Sequence, residues 1–219
     1  ASLEAYKKRS PDARLCLGPQ YTILRKEFRA ASLALPPLEE RNHVLILLGG
    51  TDVKHLSLPL CQNMLDQYPS LNLSAIVGEC APEYEAALRQ LAKQYPKLSL
   101  YIKTDEVAHI MAQSGLAISS AGGSLSELAC MNVPAFALVF ADNQANALHS
   151  TTNNSWYKAL DFRTYGQHNT IEDELMLNNL CSSAYDLYQD LAQRAQMQKQ
   201  VIGIIDALGC QRIIEKSMC

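Results

Sequence analysis

The sequence lacks most of the short signatures that assign a chemistry unaided. It has no G-x-x-x-x-G-K-[ST] phosphate loop and no G-x-G-x-x-G dinucleotide fingerprint. Its seven cysteines (Cys16, Cys61, Cys80, Cys130, Cys181, Cys210, Cys219) include no C-x-x-C pair, and no histidine accompanies them at metal-ligand spacing. Neither a metal site nor a disulfide framework is therefore expected. The odd, scattered count reads as reduced thiols, mostly small core residues, in a cytoplasmic protein. No stretch approaches the run of about 18 apolar residues that a membrane span needs, and no secretory leader is visible. An excess of basic charge is missing too. Nineteen Lys and Arg against 22 Asp and Glu leave a net charge of −3, with no field to collect nucleic acid or an anionic membrane. An anionic ligand would have to be held by local geometry. Repeats and low-complexity tracts are absent.

What is present is a regular alternation of apolar runs and amphipathic segments, in 219 residues of which 48% are hydrophobic. "HVLILL" (43–48), "LNLSAIV" (71–77), "KLSLYI" (97–102), "GLAISS" (115–120) and "VPAFALVF" (133–140) read as five strands, the first nearly continuous in its hydrophobicity, as a strand buried on both faces would be. Helices are expected over about 54–67, closed by Pro69, over 82–94, opening on Pro82, and over 105–113, with acidic residues in the first turn. Strands alternating with helices predict an α/β fold, a doubly wound, Rossmann-like parallel sheet whose strand-end loops carry the ligand site.

Three units are expected: a segment over 1–37, interrupted by Pro36-Pro37; a nucleotide-binding domain over 38–170; and C-terminal helices over 171–219, where Gly and Pro are scarce. The first segment reads equally as the tail of a preceding domain with its linker or as an N-terminal arm of the same domain.

Candidate chemistry gathers at strand ends. In "AISSAGGSLSELAC" (117–130) a strand runs into Gly122-Gly123 and a helix expected to start near Ser124. Glycines admit a ligand close to the backbone, and a helix N-terminus favours an anion. Ser124 with Glu127 three residues later also matches a capping box. Both readings of Glu127, ligand-binding or capping, stay open on the residues alone. "LLGGTD" (47–52) repeats the Gly-Gly pattern with Gly49 and Gly50, and two such turns at parallel strand ends would face one crevice and suit a diphosphate or nucleotide. "FADNQANA" (140–147) places Asp142 and Asn143 after the last strand, either as caps or as site residues. His43, His55, His109, His149 and His168 have no partner at ligand spacing, and none is assigned as a general base.

Taken together, "LCLGPQYTILRKEFRAA" (15–31), "LLGGTD", "ISSAGGSLSELACMNVPAF" (118–136), "ADNQ" (141–144) and "IIDALGCQRIIEKSM" (204–218) resemble, in order, the UDP-sugar hydrolases of pseudaminic acid biosynthesis. These enzymes remove UDP from UDP-2,4-diacetamido-2,4,6-trideoxy-β-L-altropyranose. The resemblance implies the carboxyl-terminal domain of a GT-B fold, a UDP-sugar ligand and no cofactor. It implies that Glu127 accepts hydrogen bonds from ribose hydroxyls, that Gly122, Gly123 and Ser124 offer N–H groups to the diphosphate, that Tyr101 and Ile102 lie at the uracil, that Asn143 and Gln144 face the sugar or phosphate, and that Gly49 and Gly50 form the opposite wall.

The family's complete proteins begin with another Rossmann-like domain that supplies the catalytic histidine. Nothing in residues 1–40 matches it, so no catalytic residue is expected in this chain. The segment 145–166 is more polar than the family's and holds the only Trp, and "DALG" (206–209) stands where Asp-Gly is usual. Two alternatives remain beside the hydrolase: a glycosyltransferase of the same GT-B fold, and a non-catalytic nucleotide-sugar-binding module.

Overall fold

The computed structural model describes residues 3–150, 155–167 and 170–218; His168 and Cys219 lie outside these. In chain order the elements are α1 (Leu3–Arg9), α2 (Lys26–Ser32), β1 (His43–Leu47), α3 (Ser57–Gln67), β2 (Leu73–Val77), α4 (Pro82–Gln94), β3 (Leu98–Ile102), α5 (Val107–Ala112), β4 (Ser114–Ser120), α6 (Gly123–Cys130), β5 (Ala135–Val139), β6 (Tyr157–Asp161), α7 (Thr170–Gln189), α8 (Leu191–Val201) and α9 (Gly209–Met218). The strands form one sheet in the order β3-β2-β1-β4-β5-β6, every pair parallel.

The apolar runs become strands because both faces of the sheet are covered. Along β1, Val44 and Ile46 enter one hydrophobic cluster while Leu45 and Leu47 enter the other. The period-2 alternation of a strand sends neighbouring side chains to opposite faces, so a strand covered on both needs apolar residues throughout. On one face the sheet is covered by Leu60, Met64 and Leu65 of α3 and Leu180, Ala184 and Leu187 of α7. On the other lie Phe28 of α2, Ile110 and Met111 of α5 and Leu128 of α6. This is the doubly wound Rossmann-like sheet that the alternation of runs predicts.

A sixth strand, β6, lies within the polar segment 145–166, where the sequence suggests none. None of its positions is fully buried, and Lys158 and Asp161 are exposed; it pairs on one side only, with β5. An edge strand needs little apolar surface, and Lys and Asp are poor strand formers, so pairing with β5 and not local propensity makes it a strand.

The ends of the chain join the same body. Phe28 is fully buried, and Leu24, Ala31 and Leu35 pack around it against the core. Burying a phenylalanine contributes about 1.5–3 kcal/mol, enough to hold α2 on the sheet. At the other terminus the Arg212 guanidinium donates to the Gln20 carbonyl at 2.9 Å and pairs with Asp206, which seats α9 against residues 19–21.

Candidate functional site

The strand order reverses direction between β1 and β4, and both strands end in a Gly-Gly loop. In parallel sheets a crevice opens at such a switch point, outside the carboxyl ends of the strands. Here it is a cavity of about 680 Å³ lined by Thr22, Ile23 and Leu24, by Gly49 and Gly50, and by Ser120, Gly122, Gly123, Ser124, Ser126 and Glu127. A second space of about 210 Å³ continues toward β2 and β3, bounded by Gly78, Lys103, Thr104 and Val107, and shares Gly49, Gly50, Ser124 and Glu127 with the first. The two glycine turns face one another as expected: a Cβ at Gly49 would lie 3.4 Å from the Ser120 hydroxyl.

The glycines differ in why they are there. Gly49 has φ +89°, a left-handed conformation that side chains rarely adopt. Gly50, Gly122 and Gly123 all lie outside that region, and a Cβ at Gly50 or Gly123 would meet nothing within 4 Å. A tight turn therefore accounts for Gly49 alone. At the other positions, what a side chain would occupy is the crevice.

Helix α6 starts one residue earlier than the sequence suggests, at Gly123 with Gly122 as its N-cap, and no side chain caps it. The capping box between Ser124 and Glu127 does not form, because both residues are already inside the helix. The Glu127 carboxylate instead faces Arg25, at 3.5 Å from Nη2, and the same guanidinium contacts Glu27 at 3.1 Å. Burial raises the Glu127 pKa, while Arg25 opposes the rise. A half-desolvated carboxylate in a glycine-walled crevice is equipped to accept hydrogen bonds from ligand hydroxyls.

The loop after β1 is held rigidly. Asp52 is buried and accepts from the Leu56 and Ser57 amides at 3.0 Å each and from the Tyr84 hydroxyl at 2.7 Å. Asp52, His55 and Lys103 all carry left-handed backbone, conformations that cost energy and persist where surrounding structure enforces them. Lys54 donates to the Arg163 and Tyr165 carbonyls, tying this loop to the turn after β6.

Other expected residues fall at the margins. Tyr101 and Ile102 end β3, Tyr101 packing into the core, and the crevice wall beside them is formed by the next two residues, Lys103 and Thr104. Gln144 lies near the second glycine loop, 3.7 Å from where a Gly122 Cβ would be, and its side chain accepts from the Phe140 amide. Asn143 is exposed on the same 3-10 segment (Asp142–Ser150). Asp142 accepts from Arg163 at 2.7 Å. Three histidines have partners outside the crevice lining: His43 contacts Ser74, His109 contacts Gln113, and His55 packs edge-on to Tyr84.

Thr22, Ile23, Leu24, Arg25, Gly78, Lys103 and Thr104 were not legible as site residues. Lys103 and Thr104 carried one signal, their position just past a parallel strand. The N-terminal residues carried none, since only the long-range burial of Phe28 brings them to the crevice. No group of His, Cys, Asp or Glu arranged to hold a metal occurs among the described residues. None of their helices is long and apolar enough to cross a membrane.

No family model matches the chain. Among curated proteins, the spore coat polysaccharide biosynthesis protein SpsG of Bacillus subtilis is 31% identical over 136 residues, covering 61% of this chain and 40% of SpsG. The UDP-2,4-diacetamido-2,4,6-trideoxy-beta-L-altropyranose hydrolase of Campylobacter jejuni is 26% identical over 127 residues, covering 58% of this chain and 44% of the hydrolase. The matches thus span less than half the length of these relatives. Among solved structures, a UDP-GlcNAc 2-epimerase from Neisseria meningitidis bound to UDP-GlcNAc has a TM-score of 0.56 at 16% identity, covering 88% of this chain and 48% of the epimerase. Acinetobacter baumannii MurG has a TM-score of 0.52 at 19% identity, covering 93% of this chain and 55% of MurG. The chain is a distant homologue of SpsG and of the C. jejuni hydrolase, built on a Rossmann-like sheet whose structural neighbours are GT-B glycosyltransferases and epimerases.

Proposed function

We propose that this chain is the nucleotide-binding part of a UDP-sugar hydrolase, one that releases UDP from a diacetamido-trideoxy hexose in nonulosonate biosynthesis. The observation that carries the reading is the pairing of two glycine loops across one crevice, three of whose four glycines have no positive φ to explain them. Homology to the C. jejuni hydrolase supports UDP as the nucleotide.

In this reading the uncapped N-terminus of α6, with Gly122, Gly123 and Ser124, receives the diphosphate, and Glu127 accepts from the ribose hydroxyls. Charge-assisted bonds of that kind contribute about 1.5–3 kcal/mol each. The inner space beside Gly78, Lys103 and Thr104 takes the uracil, next to Tyr101 and Ile102, while Asn143 and Gln144 border the sugar. In the reaction, water attacks the anomeric carbon, the bond from that carbon to the β-phosphate oxygen breaks, and UDP departs. Amides aimed at the diphosphate stabilise the charge that develops on the leaving group. The proton lost by water goes to a base outside this set, because the titratable side chains lining the two spaces, Glu127 and Lys103, are in this reading placed at the ribose and the uracil. We place that base on a preceding domain.

Calorimetric titration with UDP, with ADP and UMP as controls, tests the nucleotide assignment. Preference for UDP supports it, and equal or absent binding of all three rejects it for this chain. Product analysis on the full-length protein then separates the reactions. Free sugar and UDP without an acceptor mean hydrolysis, whereas turnover that requires an acceptor means a transferase.

A further inference from the structure

Residues 22–24 have no place in a minimal nucleotide site built from strand-end loops, yet they form one wall of the crevice. Thr22, Ile23 and Leu24 line it directly, and Arg25 follows at the N-cap of α2, where its side chain makes no capping bond. The guanidinium is bracketed by two carboxylates from different elements, Glu27 of α2 at 3.1 Å and Glu127 of α6 at 3.5 Å. It also lies over the Phe28 ring, 5.2 Å from the centroid. Phe28 is itself fully buried, so the guanidinium rests on a core ring while the Arg25 side chain as a whole remains 44% exposed.

We propose that Arg25 is a positioning residue for Glu127: it orients the carboxylate toward the ligand's hydroxyls, making the N-terminal segment a working part of the nucleotide site. The inference rests on the reading of Glu127 given above. Two carboxylates about one guanidinium give the arrangement its logic. Glu27 holds Arg25 in place when ligand hydroxyls compete for Glu127, so the cation stays beside the site.

The charged groups that face Glu127 are few. Arg25 and Glu27 come from the α2 segment, and Lys103 from the turn after β3 shares the inner space; the glycine loop after β1 contributes none. Burial raises the Glu127 pKa first and most, Arg25 lowers it, and Glu27 raises it slightly. Removing Arg25 leaves burial unopposed, so the carboxyl protonates at higher pH. A protonated Glu127 presents one acceptor oxygen fewer to a diol.

The test reads Glu127 directly in the ligand-free protein and then reads binding. Side-chain carboxyl NMR follows the Glu127 titration midpoint in wild type, Arg25→Ala and Arg25→Lys. Arg25→Ala should raise the midpoint, and Arg25→Lys should restore most of it. UDP affinity of Arg25→Ala should fall about two- to fivefold, the range of an ion pair of this exposure, with the deficit widening as pH falls and the carboxyl protonates. An unchanged midpoint in Arg25→Ala overturns the proposal whatever UDP does. A shifted midpoint with unchanged UDP affinity at every pH overturns it as well. Glu127→Gln separates the two levels: if it loses affinity while Arg25→Ala does not, only the role of Arg25 falls. If Glu127→Gln binds UDP as wild type does, the Glu127 assignment falls and takes Arg25 with it.

Discussion

Gly78 sits directly against Gly50: a Cβ on Gly78 would lie 1.9 Å from the Gly50 carbonyl oxygen and 2.7 Å from its carbon. The strand end after β2 thereby props the glycine loop after β1, and both residues line the inner space of the crevice. Because the obstacle is backbone, no side-chain rotation relieves it. Gly78→Ala should therefore displace the Gly50 loop and destabilise the fold by about 1–3 kcal/mol, a lower Tm by about 2–4 °C per kcal/mol for a chain of this size. Thermal denaturation checks it, and an unchanged Tm would mean that the loop moves freely.

Gly123→Ala separates a turn from a cradle. The position is the first residue of α6, its φ is ordinary, and a Cβ there meets nothing. Alanine is the better helix former by about 1 kcal/mol, so Tm should hold or rise slightly. If the crevice receives a diphosphate, the added methyl obstructs its approach and UDP affinity should drop by about tenfold, near 1.4 kcal/mol. Full affinity in a fully stable variant would return this glycine to a purely local role.

Glu127→Gln should show the stability cost of a site residue. Burial is the first cause of its raised pKa, with Arg25 opposing. A carboxyl whose pKa is higher in the folded than in the unfolded state binds protons more tightly when folded, so stability falls as pH rises through that window. The cost is fully present above the folded pKa and absent below the unfolded one. The variant should thus be more stable than wild type at neutral pH by a small margin, about 2 °C in Tm. Its advantage should shrink as pH falls toward about 4.5, the unfolded carboxyl range, and be gone below it. UDP affinity should fall in the same variant, by a few kcal/mol at most. Denaturation scans at several pH values, beside one calorimetric titration, check both parts.

Phe28→Ala should unfold much more than an N-terminal arm. The ring is fully buried among Leu24, Ala31, Leu35 and the α5–α6 core, and phenylalanine-to-alanine changes at such sites cost about 3–5 kcal/mol. Denaturant titration should show one cooperative transition moved to lower denaturant. A separate early transition, with the main one unmoved, would mean that residues 22–35 fold apart from the sheet.

The sequence by itself determined the sheet. Parallel strands covered on both faces are apolar or small at nearly every position, so "HVLILL", "GLAISS" and "VPAFALVF" announced themselves, and their alternation with helices left the doubly wound topology as the natural solution. It also marked the loops that bear the site, since glycine pairs at two strand ends are a local pattern. Helix α6 was placed to within one residue, yet that residue decided whether Ser124 and Glu127 make a cap, because a capping box depends on the exact first turn. Only tertiary structure decided the rest. Edge strand β6 exists through its pairing with β5, not through its own composition. Gly78 meets Gly50 because β2 lies beside β1. Arg25 meets Glu127 because Phe28 buries itself under α6. Periodicity along a chain records which face of an element is dry; which distant residues then share a crevice is fixed by how the dry faces pack, and no local pattern carries that information.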